Sequence, residues 1–296
     1  MKDAFSRYHP LVNFAYFFFV FAFSMFLMHP VCLFISLVCS FVYSIWLKGR
    51  KAVLFNFAFL LPMIFITAII NPAFNHEGAT ILTYLHTGNP LTLESIVYGF
   101  AAAVMMAAVV SWFNCYNEIM ASDKFVYLFG RIIPAMSLIL SMALRFVPKF
   151  KAQIKVVSDA QRCIGRDVSN GGIITRLRHE ITILSIVITW ALENAIETAD
   201  SMRSRGYGLP GRTAFSIYRF DRRDKIALTA ILTAGGYVLI GIILNGLKWR
   251  YYPTMNGRMT EIYTITLYAA YGILCMIPVI ADRKEEQQWK ATQLKI

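Results

Sequence analysis

Two short runs hold the residues best placed to do chemistry. One reads Asp159-Ala160-Gln161-Arg162-Cys163-Ile164-Gly165-Arg166. The other reads Ser201-Met202-Arg203-Ser204-Arg205-Gly206-Tyr207-Gly208. Each sets arginines beside a glycine where a helical pattern stops. A guanidinium is always charged and offers a rigid fork of donors. A glycine just after it can take a positive φ and end the helix, leaving that end open to insertion into a partner. The plainer reading of Arg203 and Arg205 is ordinary C-capping, favourable with the helix dipole by a few tenths of a kcal/mol. Elsewhere the chain is poor in reactive constellations. It has no GxxxxGK[ST], GxSxG or HExxH. Cys32, Cys39, Cys115, Cys163 and Cys275 are scattered without metal-ligand spacing. His76-Glu77 and His86 could in principle meet a metal, but solvated loop residues explain them more simply. The sequence therefore predicts a protein that is not an enzyme and binds no metal or cofactor itself.

The elements that must position these runs are mostly apolar. Of 296 residues, 57% are hydrophobic and 16% charged, against about a quarter charged in a soluble domain. Most of the apolar surface must face lipid. Runs at Leu11–Met28, Val31–Leu47, Val53–Ile70, Ile96–Phe113, Ile226–Leu247 and Ile262–Ile280 are each about long enough to cross a hydrocarbon core of roughly 30 Å. His29-Pro30 separates the first two, and Pro30 predicts a helix break there. Lys48, Arg50 and Lys51 follow the second run, whereas 71–90 contains no Lys or Arg. The positive-inside rule then predicts six spans with both termini cytoplasmic, against which Arg250 and Arg258 count but are outweighed.

Residues 118–225 are neither spans nor an ordinary loop. Phe125–Leu144 is apolar but holds Arg131 and Pro134, and Ile181–Leu192 is apolar but too short to cross. Val147, Phe150, Ile154, Val157, Ala160 and Ile164 recur at helical spacing, with Lys149, Lys151, Lys155 and Arg162 off that stripe. Gly165 and Ser169-Asn170-Gly171-Gly172 end this helix. A second helix is predicted over Ile173–Ser204, with Glu193 and Glu197 on one face and Gly206, Gly208, Pro210 and Gly211 closing it.

Charge narrows the function. The chain carries a net +12, and Arg145–Lys225 alone has 15 Lys and Arg against 8 Asp and Glu, a net of +7. This excess can attract anionic lipid or dock an acidic cytoplasmic partner. The basic segment lacks the aromatic interleaving that stacks bases, which argues against nucleic acid. The six apolar runs hold no Asp, Glu, Lys, Arg or His. An ion-coupled carrier keeps an ionisable group at mid-membrane, so a secondary transporter is disfavoured. Asn13 and Asn56 read as interhelical hydrogen-bonding groups.

The paired runs resemble the Ala-Arg-Gly coupling motifs of the transmembrane (T) component of energy-coupling factor (ECF) transporters. The resemblance covers nearly the whole chain: Ser6-Arg7-Tyr8-His9-Pro10 is similar to the family's entry to the first span. Arg145-Phe146-Val147-Pro148 is similar to its lead into the first coupling helix. Two departures stand out. Ser204 replaces Ala before Arg205-Gly206. In the first motif Cys163 stands at the Ala and Ile164 at the Arg, with Arg162 and Arg166 two residues to either side.

The resemblance implies an all-α integral membrane protein of about six transmembrane helices plus a cytoplasmic coupling region of long amphipathic helices. It divides as 1–117 (four spans), 118–225 (coupling region) and 226–296 (a two-span hairpin and tail). It implies the non-catalytic subunit of an ABC importer in a prokaryotic cell membrane, carrying motion from two cytoplasmic ABC ATPases, which hold the ATP and Mg. The motion reaches a membrane-embedded substrate-binding S component that takes up a vitamin or a transition-metal ion. Ala160, Gln161, Arg162, Cys163, Ile164, Gly165 and Arg166 would meet one ATPase, and Arg203, Ser204, Arg205 and Gly206 the other. A membrane scaffold that recruits a cytoplasmic protein without transport is the alternative.

Overall fold

The computed structural model describes residues 4–84, 90–130, 133–166, 172–207, 209, 218–257 and 259–293. Arg131, Ser169-Asn170-Gly171, Gly208, Pro210, Gly211, His86 and Arg258 lie outside the described residues. The helices are α1 (Pro10–Phe26), α2 (Pro30–Lys48), α3 (Arg50–Phe55), α4 (Leu61–Phe74), α5 (Leu93–Ile119), α6 (Ser122–Gly130), α7 (Pro134–Cys163), α8 (Ile173–Ser204), α9 (Arg222–Ile243) and α10 (Ile262–Gln293). A π-helical turn at Asn56–Leu60 joins α3 to α4, making one stretch over Arg50–Phe74. Two small antiparallel hairpins pair β1 (Ile81–Tyr84) with β2 (Pro90–Thr92), and β3 (Trp249–Arg250) with β4 (Asn256–Gly257). The chain is an all-α membrane protein: among the described residues six helical stretches are long and apolar enough to cross a bilayer.

Membership of that six differs from the sequence reading at two places. The first apolar run forms only 17 residues of helix, about 26 Å at 1.5 Å per residue, near the short limit for crossing. Ile181–Leu192, too short by itself, is the middle of the 32-residue α8, which is long and apolar enough to span. Helix propensity in the polar flanks carries the segment past its apolar core, so length alone does not exclude α8 from the bilayer. Likewise α7 runs unbroken through Pro148 for 30 residues, so Arg145–Pro148 lies inside the helix rather than leading into it.

The chain divides into two compact units, Met1–Ala121 with Tyr218–Ile296, and Ser122–Ile217. In the first, α1, α2, α5, α9 and α10 pack around Trp112, Tyr16, Tyr43 and Tyr271, all essentially fully buried. Large aromatics in a lipid-facing bundle need partners for their polar tips. The Trp112 indole N–H donates to Ser36 Oγ at 3.1 Å, Ser36 and Ser24 hydroxyls meet at 2.8 Å, and Ser24 meets the Tyr271 hydroxyl at 3.3 Å. Tyr16 donates to the Cys275 carbonyl at 3.0 Å. Such bonds tie helices together where lipid offers no alternative. Asn56 is buried too, but its side chain has no hydrogen-bond partner at the π turn, so the expected interhelical bond is not formed there.

Both ends of this bundle are clamped by pairs far apart in sequence. At one end Asp282 Oδ1 accepts from the Ala4 and Phe5 backbone N–H groups at 2.9 and 2.8 Å. Asp224 accepts from the His9 N–H at 3.0 Å and, through its other oxygen, from the Asp221 N–H at 2.9 Å, so one carboxylate caps α9 and holds the entry to α1. Lys48 pairs with Glu118 at 3.2 Å at this end, and Arg223 with Glu285 at 2.9 Å. At the other end Tyr251 donates to the Met28 carbonyl at 2.8 Å and Asn75 Nδ2 to the Tyr252 hydroxyl at 3.1 Å. The alternation of these loops means that successive stretches run up and down and that the residues near both termini share one end.

His9-Pro10 and His29-Pro30 begin α1 and α2 in the same way. Each imidazole Nδ1 accepts the N–H two residues on, at 3.2 and 3.3 Å, while the proline fills the first helical position. The predicted break at Pro30 is present: α1 ends at Phe26 and α2 starts at Pro30. Burial pushes the His9 imidazole below its ordinary range, and the nearby Asp224 carboxylate opposes that shift.

Candidate functional site: two glycine-capped helix ends

The second unit consists of α6, α7 and α8, and its central feature is the α7–α8 pair. Val157 packs with Ile183 and Val187. Phe150 meets Trp190 edge-on at 6.0 Å, and Lys149 donates to Asn194 Oδ1 at 2.7 Å with its ammonium over the Trp190 ring. As the α7 number falls the α8 number rises, so the helices are antiparallel. Their C-terminal ends therefore point away from each other, on the order of 40 Å apart along the pair if both helices stay straight.

The seam between them is displaced from the expected stripe. Among the described side chains of α7, Met142, Phe146, Phe150, Gln153, Val157, Ser158 and Gln161 are partly or fully buried, whereas Val147, Ile154, Ala160 and Ile164 are exposed. Polar Gln153 and Gln161 took seam positions that an apolar-only pattern skips. The apolar residues beside them face outward.

Both predicted motifs sit at the ends of this pair, and the two ends are built alike. In the first, Ala160, Gln161, Arg162 and Cys163 close α7, and Ile164, Gly165 and Arg166 turn away from it. The Arg166 N–H bonds the Gln161 carbonyl at 3.0 Å and the Gly165 N–H the Arg162 carbonyl at 3.0 Å, with Gly165 at φ +81°. In the second, Arg203 and Ser204 close α8, and Arg205 caps it. The Tyr207 N–H bonds the Met202 carbonyl at 3.1 Å and the Gly206 N–H the Arg203 carbonyl at 3.0 Å, with Gly206 at φ +73°. This double bond pattern around a left-handed glycine is the Schellman cap. An L side chain at either glycine would meet the left-handed penalty.

The shared geometry fixes a register between the two runs. Gln161 matches Met202, Arg162 matches Arg203, Cys163 matches Ser204, Ile164 matches Arg205, Gly165 matches Gly206 and Arg166 matches Tyr207. Every motif side chain from Arg162 to Arg166, and Arg203, Ser204 and Arg205, is exposed. Residues outside the predicted motifs also shape the second end. Leu209 lies 3.1 Å from where a Cβ on Gly206 would stand, while nothing lies within 4 Å of the same point on Gly165. Sequence reasoning passed over Leu209 because it follows the glycine, where the helical pattern has stopped. Among the described residues no group of three or more His, Cys, Asp or Glu is arranged to hold a metal ion.

Comparison with known proteins agrees with the membrane architecture. Over 208 residues the chain is 29% identical to the energy-coupling factor transporter transmembrane protein EcfT of Staphylococcus aureus, covering 69% of this chain and 74% of that protein. It is 27% identical over 190 residues to the protein of the same name in Lactobacillus helveticus, covering 61% and 69%. It is 35% identical over 106 residues to that of Streptococcus thermophilus, covering 35% and 40%. Over much of its length the chain is thus similar to the transmembrane proteins of ECF transporters. No protein-family model matches the chain. The apolar helices and these relatives, which are named as transporter components, support a multi-pass membrane protein.

Proposed function

We propose that this chain is the coupling subunit of an ECF-type importer, with the end carrying Arg205 and Gly206 and the end carrying Ile164 and Gly165 each gripped by one cytoplasmic ABC ATPase. ATP and Mg bind in those ATPases. Their motion passes along α7 and α8 to a membrane-embedded S component that captures a vitamin or a transition-metal ion. The single observation that carries this reading is the pair of identically capped, exposed ends pointing away from each other on one antiparallel helix pair. Two such ends can engage two ATPases at once, and a rigid pair transmits displacement between them. The positive residues Lys48, Arg50, Lys51, Arg222 and Arg223 gather at the end of the bundle that also holds the N-terminal segment. That end is the cytoplasmic one by the positive-inside rule.

Arg205→Glu tests the reading. In proteoliposomes holding the whole complex, ATP-driven uptake should fall at least tenfold, because a like charge replaces a guanidinium facing an acidic groove. The melting temperature of the isolated chain should be unchanged. Undiminished uptake would remove Arg205 from the coupling path. A chain that forms no complex with ABC ATPases would instead act as a scaffold for another protein.

A further inference from the structure

By the positive-inside rule cations are sparse at the end of the bundle opposite Lys48, Arg50 and Lys51. The loop 71–90 at that end holds no Lys or Arg, yet Lys248 and Arg250 stand there, in the turn between α9 and α10. The local backbone holds both outward. Along Lys248–Tyr251 the side chains alternate as on a strand. Trp249 packs across Gly257 with its ring 5.3 Å from that of His29, and buried Tyr251 donates to the Met28 carbonyl at 2.8 Å. Lys248 and Arg250 face the other way and are exposed. Arg250 pairs with Asn256 across β3 and β4. With Asn245 and Thr254, these three residues line an open cavity of about 650 Å³. Asn245 keeps its amide there at φ +57°, where glycine is the easier residue.

Among the described residues neither Lys248 nor Arg250 forms an ion pair or a side-chain hydrogen bond, and Glu77, across Pro253, lines a separate cleft. The dipole of α9 does not call for them. They stand five and seven residues past Ile243, and the closing carbonyls of the helix already accept the N–H groups of Leu244, Asn245 and Gly246 at 2.9, 3.0 and 2.9 Å. The helix turns that lead into and out of this loop expose Ile240, Ile243, Leu244 and Ile262. We infer that the cavity binds the phosphate of an anionic phospholipid. Arg250 forks onto two phosphate oxygens and Lys248 adds a second charge. Asn245, Thr254 and Asn256 bond the ester and headgroup oxygens, and the acyl chains run along the exposed isoleucines and Leu244. Phosphatidylglycerol is the simplest such lipid. A choline headgroup brings a cation against Lys248 and is disfavoured. A soluble phosphate compound gains the charges but not the apolar surface. The site needs only the membrane-spanning bundle and stands apart from any ATPase contact.

Native mass spectrometry of the full chain in detergent tests the site, with phosphatidylglycerol or phosphatidylcholine added in steps. The wild-type chain should retain one phosphatidylglycerol at concentrations about tenfold below those needed for phosphatidylcholine. Lys248→Gln together with Arg250→Gln should raise the phosphatidylglycerol concentration for half occupancy about tenfold or more. Arg50→Gln together with Lys51→Gln removes the same charge at the opposite end and should leave this occupancy unchanged. Glycerol phosphate at the lipid's concentration should not displace it. All four residues are exposed, so each variant should melt with the wild type. Should the Lys248 and Arg250 pair not do so, Lys248→Gln and Arg250→Gln singly give the same comparison. Four results would each overturn the inference: no phosphatidylglycerol retained, equal retention of the two lipids, equal weakening by both pairs of substitutions, or displacement by glycerol phosphate. The last would make the cavity a site for soluble phosphate compounds. None of them bears on the proposed function.

Discussion

The bundle formed by α1 to α5, α9 and α10 and the unit formed by α6 to α8 solve the same problem in opposite ways. The bundle buries tryptophan and tyrosine and bonds their polar tips to serines and a carbonyl. Among the described residues of the helical unit the one buried apolar cluster is Val157, Ile183 and Val187, while Ile154, Ile173, Ile174, Leu184, Leu192 and Ile196 stay exposed. A helix with so little covered apolar surface gains little from packing within its own chain. The bundle is a self-sufficient frame. The helical unit leaves much of its apolar surface exposed.

The sharpest way to break that contrast is to remove a core residue from each unit. Trp112→Ala should cost about 3–5 kcal/mol, since it deletes a fully buried ring and its bond to Ser36. Val187→Ala should cost about 1 kcal/mol, because its cluster is small and can collapse. Thermal unfolding in detergent, followed by tryptophan fluorescence and by proteolysis of α8, separates the two. Equal losses would mean that the helical unit is packed as tightly as the bundle.

Asp282→Ala comes next. It leaves the N–H groups of Ala4 and buried Phe5 without their acceptor. A stranded buried donor costs about 1–3 kcal/mol, so the expected loss is about 2–4 kcal/mol. Asp282→Asn keeps an oxygen acceptor and should recover most of it. A similar loss in both variants would show that the charge of Asp282, rather than its acceptor, holds the N-terminal segment.

These clamps also show where sequence reading stops. The course of α8 was legible to the residue, because Gly206 marks a left-handed stop and the helical spacing runs up to it. Five of the six apolar runs as spans and the break at Pro30 were legible for the same reason: run length and proline are local signals. Asp282 and Asp224 were not, since they act on backbone 277 and 215 positions away and nothing near them announces the partner. The seam of α7 was misplaced because Gln153 and Gln161 pack where an apolar stripe was assumed. At the candidate site, the motif residues and both glycines were readable. Their shared cap, which pairs Ile164 with Arg205, became visible only through backbone hydrogen bonds.

That pairing can be probed through the glycines. Gly165→Ala and Gly206→Ala should each cost about 1–2 kcal/mol from the left-handed backbone. The Gly206 variant should cost more, because its new methyl must displace Leu209 and the Gly165 variant meets nothing. Protease cleavage just beyond each helix end measures the difference. Equal sensitivity would mean that Leu209 does not cover the second end in solution.

The smallest effect separates the bundle from the helical unit by pH. The Nδ1 of His9 must be unprotonated to accept the Leu11 N–H, and burial holds its imidazole below the ordinary pKa of about 6.5. The folded state therefore binds this proton less readily than the unfolded chain. Its contribution is fully present above about pH 6.5 and is lost as pH falls through that value toward the lower folded pKa. His9 is partly open to solvent, so the bundle's melting temperature should drop by only about a degree between pH 7.5 and 5.5. His9→Asn supplies a cap oxygen that does not titrate in this range and should flatten that part of the profile. Protease resistance of α7 and α8 should be the same in both chains, since the substitution touches only the entry to α1. A change there would mean that the N-terminal segment steadies α7 and α8 as well as the bundle.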